Sequence, residues 1–216
     1  VSVNEAAGFS IVGWTGTGAF DSIGHGLSQK PNICITKSRE VGNQWMINIM
    51  NMQSGPSGVG SDNNMVLNDN SAGGNSGNSW GSGTGTAPDD KVFYCGTNSD
   101  NNQSGKLHIA YCWHNVEGYS KFGTYTGNGN AFGTFVYTGF KPAFVMGKNI
   151  TDAREWWMHD NKRDPYNGPA HPLWPHLTDV EDSYASPGRF NMISNGFKFT
   201  SDNAHWNESG DTFIYL

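Results

Sequence analysis

The most obvious candidate for a reactive residue is a serine in a glycine-flanked motif. Gly77-Asn78-Ser79-Trp80-Gly81 fits the GxSxG pattern of a nucleophile elbow. That elbow exposes its serine on a sharp turn between a strand and a helix. Here the motif lies in a stretch rich in Gly, Ser and Asn, with neither element beside it. We therefore interpret the match as compositional and predict no catalytic nucleophile.

Metal ligation is the second chemistry that the residue types could support. His159, Asp160, His171 and His176 form the closest cluster, but their spacing fits neither HExxH nor a structural zinc site. Asp62-Asn63-Asn64 and Asp100-Asn101-Asn102 offer oxygen ligands, yet neither completes an EF-hand loop. We predict no metal and no other cofactor, with calcium in an oxygen-rich loop as the alternative.

The carboxylates give no clear sign of an enzyme either. A glycosidase needs two carboxyl groups about 5–10 Å apart across the scissile bond. No candidate pair lies on an identifiable strand within an aromatic cleft pattern. The chain is therefore predicted not to be an enzyme, and a carbohydrate-active enzyme is the less favoured alternative.

Charge and hydropathy exclude two classes of partner. The formal net charge is −6, and Lys and Arg are scattered, so nothing is available to neutralise a run of phosphates. No apolar stretch approaches membrane-spanning length. We predict neither nucleic-acid binding nor membrane insertion. The chain opens on Val1 and ends in a strand-like pattern, as expected of a piece of a longer parent chain.

Three cysteines, Cys34, Cys95 and Cys112, all lie inside apolar strand patterns. An odd count without CxxC spacing indicates neither a disulfide framework nor a zinc site. A two-residue hairpin at Gln103-Ser104 would place Cys95 opposite Cys112, which makes that pair the candidate disulfide. Buried free thiols are the alternative, and the favoured one.

The elements that must position these side chains are strands. Short apolar or alternating runs recur, such as Ile33-Cys34-Ile35 and Phe213-Ile214-Tyr215, and Gly, Pro, Asn and Asp clusters separate them. No window sustains a helical period. The sequence predicts an all-β protein, a β-sandwich of jelly-roll or lectin-like type.

The chain also reads as two tandem copies of one sequence unit. Two pairs of segments match in the same order. Lys30-Pro31 and Lys141-Pro142 each precede a predicted strand, and Asn102-Gln103-Ser104-Gly105 matches Asn207-Glu208-Ser209-Gly210. Because the order of matches is preserved, duplication is the better explanation. We predict two sandwich repeats, residues 1–115 and 116–216, packed either as two small sandwiches or as one larger one.

Four aromatic residues in loops are the predicted binding residues: Trp80, Tyr166, Trp174 and Trp206. Exposed Trp and Tyr can stack on sugar rings while neighbouring Asn, Asp and Ser supply hydrogen bonds. The alternative for each of them is an ordinary anchor that pins its loop to the core. Ser54 to Pro88, a long segment rich in Gly, Ser and Asn around Trp80, is expected to be either an extended surface excursion or partly mobile. Loops of this length are uncommon in compact domains unless they have a function.

Several separated motifs are distinctive of a family. They are Ala7 to Val12, Gly24-His25-Gly26-Leu27, Gly118 to Gly123, Phe135 to Pro142, Arg163 to Asn167, Leu173-Trp174-Pro175, Ser194 to Lys198 and Gly210 to Tyr215. Together they resemble a β-rich domain of unknown function found in tail-fibre and other virion structural proteins of marine and cyanobacterial tailed bacteriophages. The resemblance covers nearly the whole chain and brings no catalytic residues with it.

The resemblance implies a role as a virion appendage, a tail fibre or a fibre on the head. We expect a rigid scaffold that displays polar loops for attachment to a host surface, with a surface glycan as ligand. The implied localisation is the extracellular virion. The implied partners are other virion proteins and further copies of the chain, as a homo-oligomer and specifically a trimer. The alternative is a purely structural decoration or spacer domain without a ligand.

Overall fold

The computed structural model describes residues 1–49, 63–75, 79–81, 88–181 and 186–216. Most of the predicted loop Ser54 to Pro88, including Asp62 and Gly77-Asn78, lies outside them. Within the described part the chain is all-β, with only a 3-10 turn at Glu5–Ala7 and one helical turn, α1, at Ser99–Asn102. The predicted all-β sandwich class is confirmed.

The described residues form seventeen strands, and every strand pair among them is antiparallel. The first nine are β1 (Ser2–Asn4), β2 (Phe9–Thr15), β3 (Asp21–Gly24), β4 (Ile33–Ser38), β5 (Met46–Ile49), β6 (Asn63–Val66), β7 (Gly74–Asn75), β8 (Val92–Cys95) and β9 (Leu107–Trp113). The others are β10 (Gly123–Thr126), β11 (Phe135–Tyr137), β12 (Phe144–Asn149), β13 (Trp157–Asp160), β14 (Gly168–Ala170), β15 (Ser186–Ile193), β16 (Gly196–Phe199) and β17 (Thr212–Tyr215).

The chain divides into two compact units. Unit 1 comprises Val1–Asn68 and Gly73–Val116, and unit 2 comprises Asp69–Ala72 and Glu117–Leu216. The main division thus falls beside the predicted boundary between residues 115 and 116. Each unit has its own buried apolar cluster.

Unit 1 combines a seven-stranded sheet, in the order β1-β2-β9-β4-β5-β6-β7, with a ladder of β3 and β8. Its core takes small and aliphatic side chains from the large sheet, such as Val12, Cys34 and Ala110. The ladder contributes Ile23 and Phe93. Alternation along β9 explains this arrangement, because every second side chain of that strand is buried.

Unit 2 has two four-stranded sheets, β10-β17-β12-β13 and β11-β16-β15-β14. Aromatic rings from both sheets fill the space between them. Tyr125 stacks on Phe213 with ring centroids 4.9 Å apart, and on Phe199 of the other sheet at 5.4 Å. This burial of large rings is the main apolar stabilisation of the unit.

The two units share one four-strand order. β2-β9-β4-β5 in unit 1 corresponds to β10-β17-β12-β13 in unit 2. The registers agree as well: Thr15 pairs with Leu107 at one end of β2, and Thr126 pairs with Thr212 at the same end of β10. Superposition of the two units over their whole length stays a prediction.

A buried asparagine joins the β2–β3 and β8–β9 connections of unit 1 at one end of this sheet. Asn102 Nδ2 donates to the carbonyl oxygens of Ala19 (2.6 Å) and Gly96 (2.9 Å), and Asn102 Oδ1 accepts the backbone N–H of Thr17 (3.0 Å). Each bond replaces water lost by a buried backbone group. We call this arrangement the asparagine node.

Unit 2 contains the same node around Asn207. Its Nδ2 donates to the carbonyl oxygens of Asn130 (3.0 Å) and Ser201 (2.8 Å), and its Oδ1 accepts the backbone N–H of Asn128 (3.0 Å). Both asparagines are fully buried. The recurring Asn-X-Ser-Gly sequence therefore encodes a structural junction rather than a loop tip.

Cys95 does not face Cys112. Cys95 lies on β8 opposite Asp21, whereas Cys112 on β9 pairs with Cys34 of β4. The predicted register is wrong because the chain between β8 and β9 forms α1 and crosses to the other sheet instead of turning back as a two-residue hairpin.

Candidate functional site

The loop between β13 and β14 carries Tyr166, whose side chain is 81% exposed. Of the four predicted binding residues it is the one that the structure places at the surface. The preceding Pro165 fixes one backbone dihedral of the loop. The geometry around this tyrosine defines the candidate site.

The start of the loop is held by Asp160, the last residue of β13. Asp160 Oδ1 accepts the backbone N–H groups of Lys162 and Arg163, both at 2.9 Å, and its Oδ2 accepts Arg163 Nε at 2.6 Å. Partial burial raises the pKa of the Asp160 carboxyl, but these hydrogen bonds outweigh that effect and hold the pKa below its usual range. The turn is therefore fixed by charge-assisted bonds.

The end of the loop is held by Asp164. Its Oδ2 accepts the backbone N–H of His171 at 2.9 Å, and its Oδ1 lies 2.6 Å from His171 Nδ1. Arg163 Nη1 in turn donates to the His171 carbonyl and to Glu181 Oε1, both at 2.9 Å. Both carboxylates of the loop are thus already engaged with the protein.

A third attachment joins the loop to the second sheet. The backbone N–H of Met192, on β15, donates to Asn167 Oδ1 at 3.0 Å. Asn167 follows Tyr166 directly, so this bond fixes the chain beside the exposed ring. A loop held at three points loses less conformational entropy when it binds a ligand.

The loop borders a shallow, open cleft whose enclosed volume is only about 20 Å³. The lining comes from the loop, the end of β13, β15 and the segment before β12, and comprises Lys141, His159, Asp160, Asn161, Asp164, Pro165, Tyr166, Asn167, Phe190 and Met192. Apolar Phe190 and Met192 thus lie next to polar groups. This mixture is typical of a small-ligand site.

His159 forms the inner wall of the cleft and is only 3% exposed. Its ring stacks on Phe190 with centroids 4.5 Å apart. Within the described residues, its buried Nδ1 has no hydrogen-bond partner. Burial lowers the pKa of His159 to about 3, so the imidazole is neutral at physiological pH.

The outer wall offers polar atoms that make no hydrogen bond to the described part of the chain. No partner among the described residues bonds to the Tyr166 hydroxyl, to Asn167 Nδ2 or to Lys141 Nζ. The accessible ring of Tyr166 lies among these groups. The arrangement can therefore hold a polar ring by stacking and hydrogen bonds.

The structure corrects the expected exposure of the three tryptophans. Trp80 is 1% exposed and packs near Phe93, Trp174 is 4% exposed, and Trp206 is 1% exposed and stacks on Trp174 at 6.4 Å. All three are covered because burying a large apolar ring is more favourable than leaving it in water, even where the ring lies outside a strand. A loop location in the sequence carried no information about exposure.

Ser79 of the GxSxG motif is also buried. Its Oγ accepts a hydrogen bond from Asn98 Nδ2 at 2.7 Å, and its carbonyl accepts Asn101 Nδ2 at 2.5 Å. These bonds fasten the segment that carries Trp80 to α1. Ser79 therefore has a structural role in the described geometry.

In the part of the chain that the structure describes, no group of three His, Cys, Asp or Glu side chains could hold a metal ion. His159 instead forms the inner wall of the cleft, and His171 holds the end of the loop through Asp164. Over the same residues no helix is long and apolar enough to span a bilayer.

The fold defines the chain as an all-β sandwich protein with two units. Its sequence matches the family model described as Domain of unknown function (DUF7483) over residues 1–216, and the chain belongs to that family. No curated protein and no solved structure matches it. Function must therefore be inferred from the residues of the site itself.

Proposed function

We propose that the chain is a non-catalytic binding module that holds a sugar ring of a surface glycan in the cleft beside Tyr166. The observation that carries the proposal is an exposed tyrosine on a loop fixed at three points. Hydrogen-bonding groups with no partner in the described structure surround it. Tyrosine provides a flat apolar face with a polar tip, which suits a ring that carries hydroxyls.

The loop itself presents paired charges that an uncharged polar ligand can approach, and the Lys141 ammonium in the lining adds a hydrogen-bond donor. Arg163 is shared between Asp160 and Glu181, and Asp164 is occupied by His171. A ligand therefore does not need to neutralise a bare carboxylate. Hydroxyl groups can both donate and accept, and so they match the amide of Asn167 and the phenol of Tyr166 that line the cleft.

The same engagement argues against a carbohydrate-active enzyme. An acid or nucleophile needs a carboxyl group that can reach the glycosidic bond. Asp160 and Asp164 each use both oxygens in bonds to the loop itself. We propose that their role is to position Tyr166.

For the biological setting we propose a virion appendage, a tail or head fibre of a bacteriophage, on the extracellular particle. The resemblance described above supports this setting. In a trimer, three weak sugar sites would act together, and avidity would raise the effective affinity for a surface that displays repeated glycans.

A structural spacer or decoration domain is the second candidate, and one observation favours it. Phe132, Phe135 and Tyr137 expose large rings on and beside β11, which is an edge strand of its sheet. Exposed apolar side chains at a sheet edge suit contacts between subunits. A spacer would need no ligand in the cleft.

The experiment compares Tyr166→Ala with Tyr119→Ala, a matched change at another exposed tyrosine outside the cleft. Each variant is measured on a glycan array, in adsorption to host cells and by melting temperature. We expect Tyr166→Ala to weaken sugar binding by about 1–3 kcal/mol, or roughly 5- to 150-fold, without a change in melting temperature. Tyr119→Ala should match the parent chain. Equal binding by both variants, or no sugar bound by the parent chain, would favour the spacer.

A further inference from the structure

Two cysteines of unit 1 lie directly opposite each other on neighbouring central strands. Cys34 of β4 pairs with Cys112 of β9, and their Sγ atoms are 3.2 Å apart. Both side chains are completely buried. These strands occupy the middle of the seven-stranded sheet.

The backbone geometry at this pair suits a covalent bond. The N–H of Arg39 donates to the carbonyl of Leu107 at 2.8 Å, and this pair lies five residues along the same register from Cys34 and Cys112. Hydrogen-bonded pairs alternate with non-hydrogen-bonded pairs along an antiparallel ladder, so the two cysteines occupy a non-hydrogen-bonded pair. The Cα atoms of such a pair are about 4.5 Å apart, which lies within the range that disulfides span.

We propose that Cys34 and Cys112 form a cross-strand disulfide when the chain folds in an oxidising environment. The oxidant is a second disulfide, of a small thiol or of an oxidoreductase. One cysteine thiolate attacks it and releases a thiol, and the other cysteine thiolate then displaces the second thiol from the mixed disulfide. Two electrons pass to the oxidant, and the two cysteine protons end on the two released thiols.

The timing of this step follows from burial. Desolvation raises the pKa of the Cys34 thiol well above its usual value, so little thiolate exists in the folded sheet. No oxidant reaches two sulfur atoms that are fully covered. The bond therefore forms before β4 and β9 close over the core. Once formed, it is protected from external thiols by the same burial.

Cys95 remains as the free thiol in this scheme. It is also fully buried, but it lies on β8 in the other sheet. Unit 2 places Val145 where unit 1 has Cys34, since each lies three residues after a Lys-Pro pair. Cys34→Val therefore introduces the side chain that unit 2 carries at the corresponding strand position.

The test is refolding of the reduced chain in a buffer of oxidised and reduced glutathione, followed by alkylation in denaturant and mass spectrometry of peptides. For the parent chain we expect one alkylated cysteine, Cys95, and a linked pair of peptides containing Cys34 and Cys112. Cys95→Ala should keep the linked pair with no alkylated cysteine. Cys34→Val should give two alkylated cysteines.

Thermal unfolding provides a second readout. The oxidised parent chain and oxidised Cys95→Ala should each melt roughly 5–15 °C above their reduced forms, because the bond closes a long loop of the unfolded chain. Cys34→Val should show no such difference. Three alkylated cysteines in the parent chain after oxidative refolding, or a linked peptide containing Cys95, would overturn the proposal.

Discussion

Unit 1 and unit 2 build the same sheet order and the same asparagine node around very different cores. The core of unit 1 takes thiols, aliphatic chains and a few rings, whereas that of unit 2 is dominated by Trp, Tyr and Phe. The common features are backbone register and buried polar junctions. The comparison indicates that register and polar junctions specify the arrangement of the strands, while the apolar side chains of the core can vary within it.

One cross-strand pair shows how the filling varies. Thr36 faces Met46 in unit 1, and at the corresponding pair Gly147 faces Trp157 in unit 2. A Cβ on Gly147 would overlap the indole of Trp157. The larger ring on one strand is therefore accommodated by the smallest residue on the other, which keeps the packed volume similar.

The largest expected effects come from the buried tryptophans. Trp80→Ala in unit 1 and Trp206→Ala in unit 2 should each lower the free energy of unfolding by about 3–5 kcal/mol, because each leaves a cavity in its own core. Denaturant unfolding measures both. If either variant unfolded like the parent chain but lost ligand binding, that tryptophan would be a binding residue.

The asparagine nodes give the sharpest test of the common frame. Asn102→Ala and Asn207→Ala should each cost about 2–4 kcal/mol, since each leaves buried or partly buried backbone groups of two loops without partners. Ser104→Ala provides a control from the same Asn-X-Ser-Gly sequence and should cost under about 0.5 kcal/mol. A large loss for one asparagine and none for the other would break the correspondence between the units.

His159 in the inner wall of the cleft should make the stability of the chain depend on pH, and unit 1 has no histidine at the corresponding position. His159 lies opposite Val145 in unit 2, and the corresponding position opposite Cys34 in unit 1 is Asn48. The pKa of His159 is lower in the folded chain than in the unfolded one, so protons bind preferentially to the unfolded chain. Stability is therefore lost as the pH falls from about 6.5 towards about 3.

His159→Asn, which imports the unit 1 residue, should remove this loss. Between pH 7 and pH 4.5 the parent chain should lose about 2–3 kcal/mol more of its unfolding free energy than the variant. Melting curves across that range measure the difference. Parallel pH profiles for the two chains would show that His159 is not buried in its neutral form.

Strand positions can be read from the sequence, because alternation and turn residues are local signals. Ile33-Cys34-Ile35 and Phe213-Ile214-Tyr215 lie in β4 and β17 as their patterns predict. Tertiary burial is not local. Trp80 lies in a segment rich in Gly and Ser and is nevertheless covered by unit 1, and Cys112 meets a partner 78 residues away.

The cleft was similarly hidden in the sequence. Arg163 to Asn167 was recognised as a distinctive motif, but the partners that fix it, His171, Glu181 and Met192, lie further along the chain. The asparagine nodes did have a signal, because Asn-X-Ser-Gly recurs after an earlier Gly-X-Gly in each unit. Pairing those two motifs would have located both nodes.

Titration of the ¹⁵N-labelled chain with a panel of neutral and acidic monosaccharides, followed by NMR, tests the sugar site most directly. We predict that at least one neutral sugar shifts amide signals of Asn161, Tyr166 and Asn167, and leaves those around Asn102 and Asn207 unchanged. Tyr166→Ala should abolish the shifts. Shifts centred elsewhere, or none with any sugar of the panel, would contradict the account.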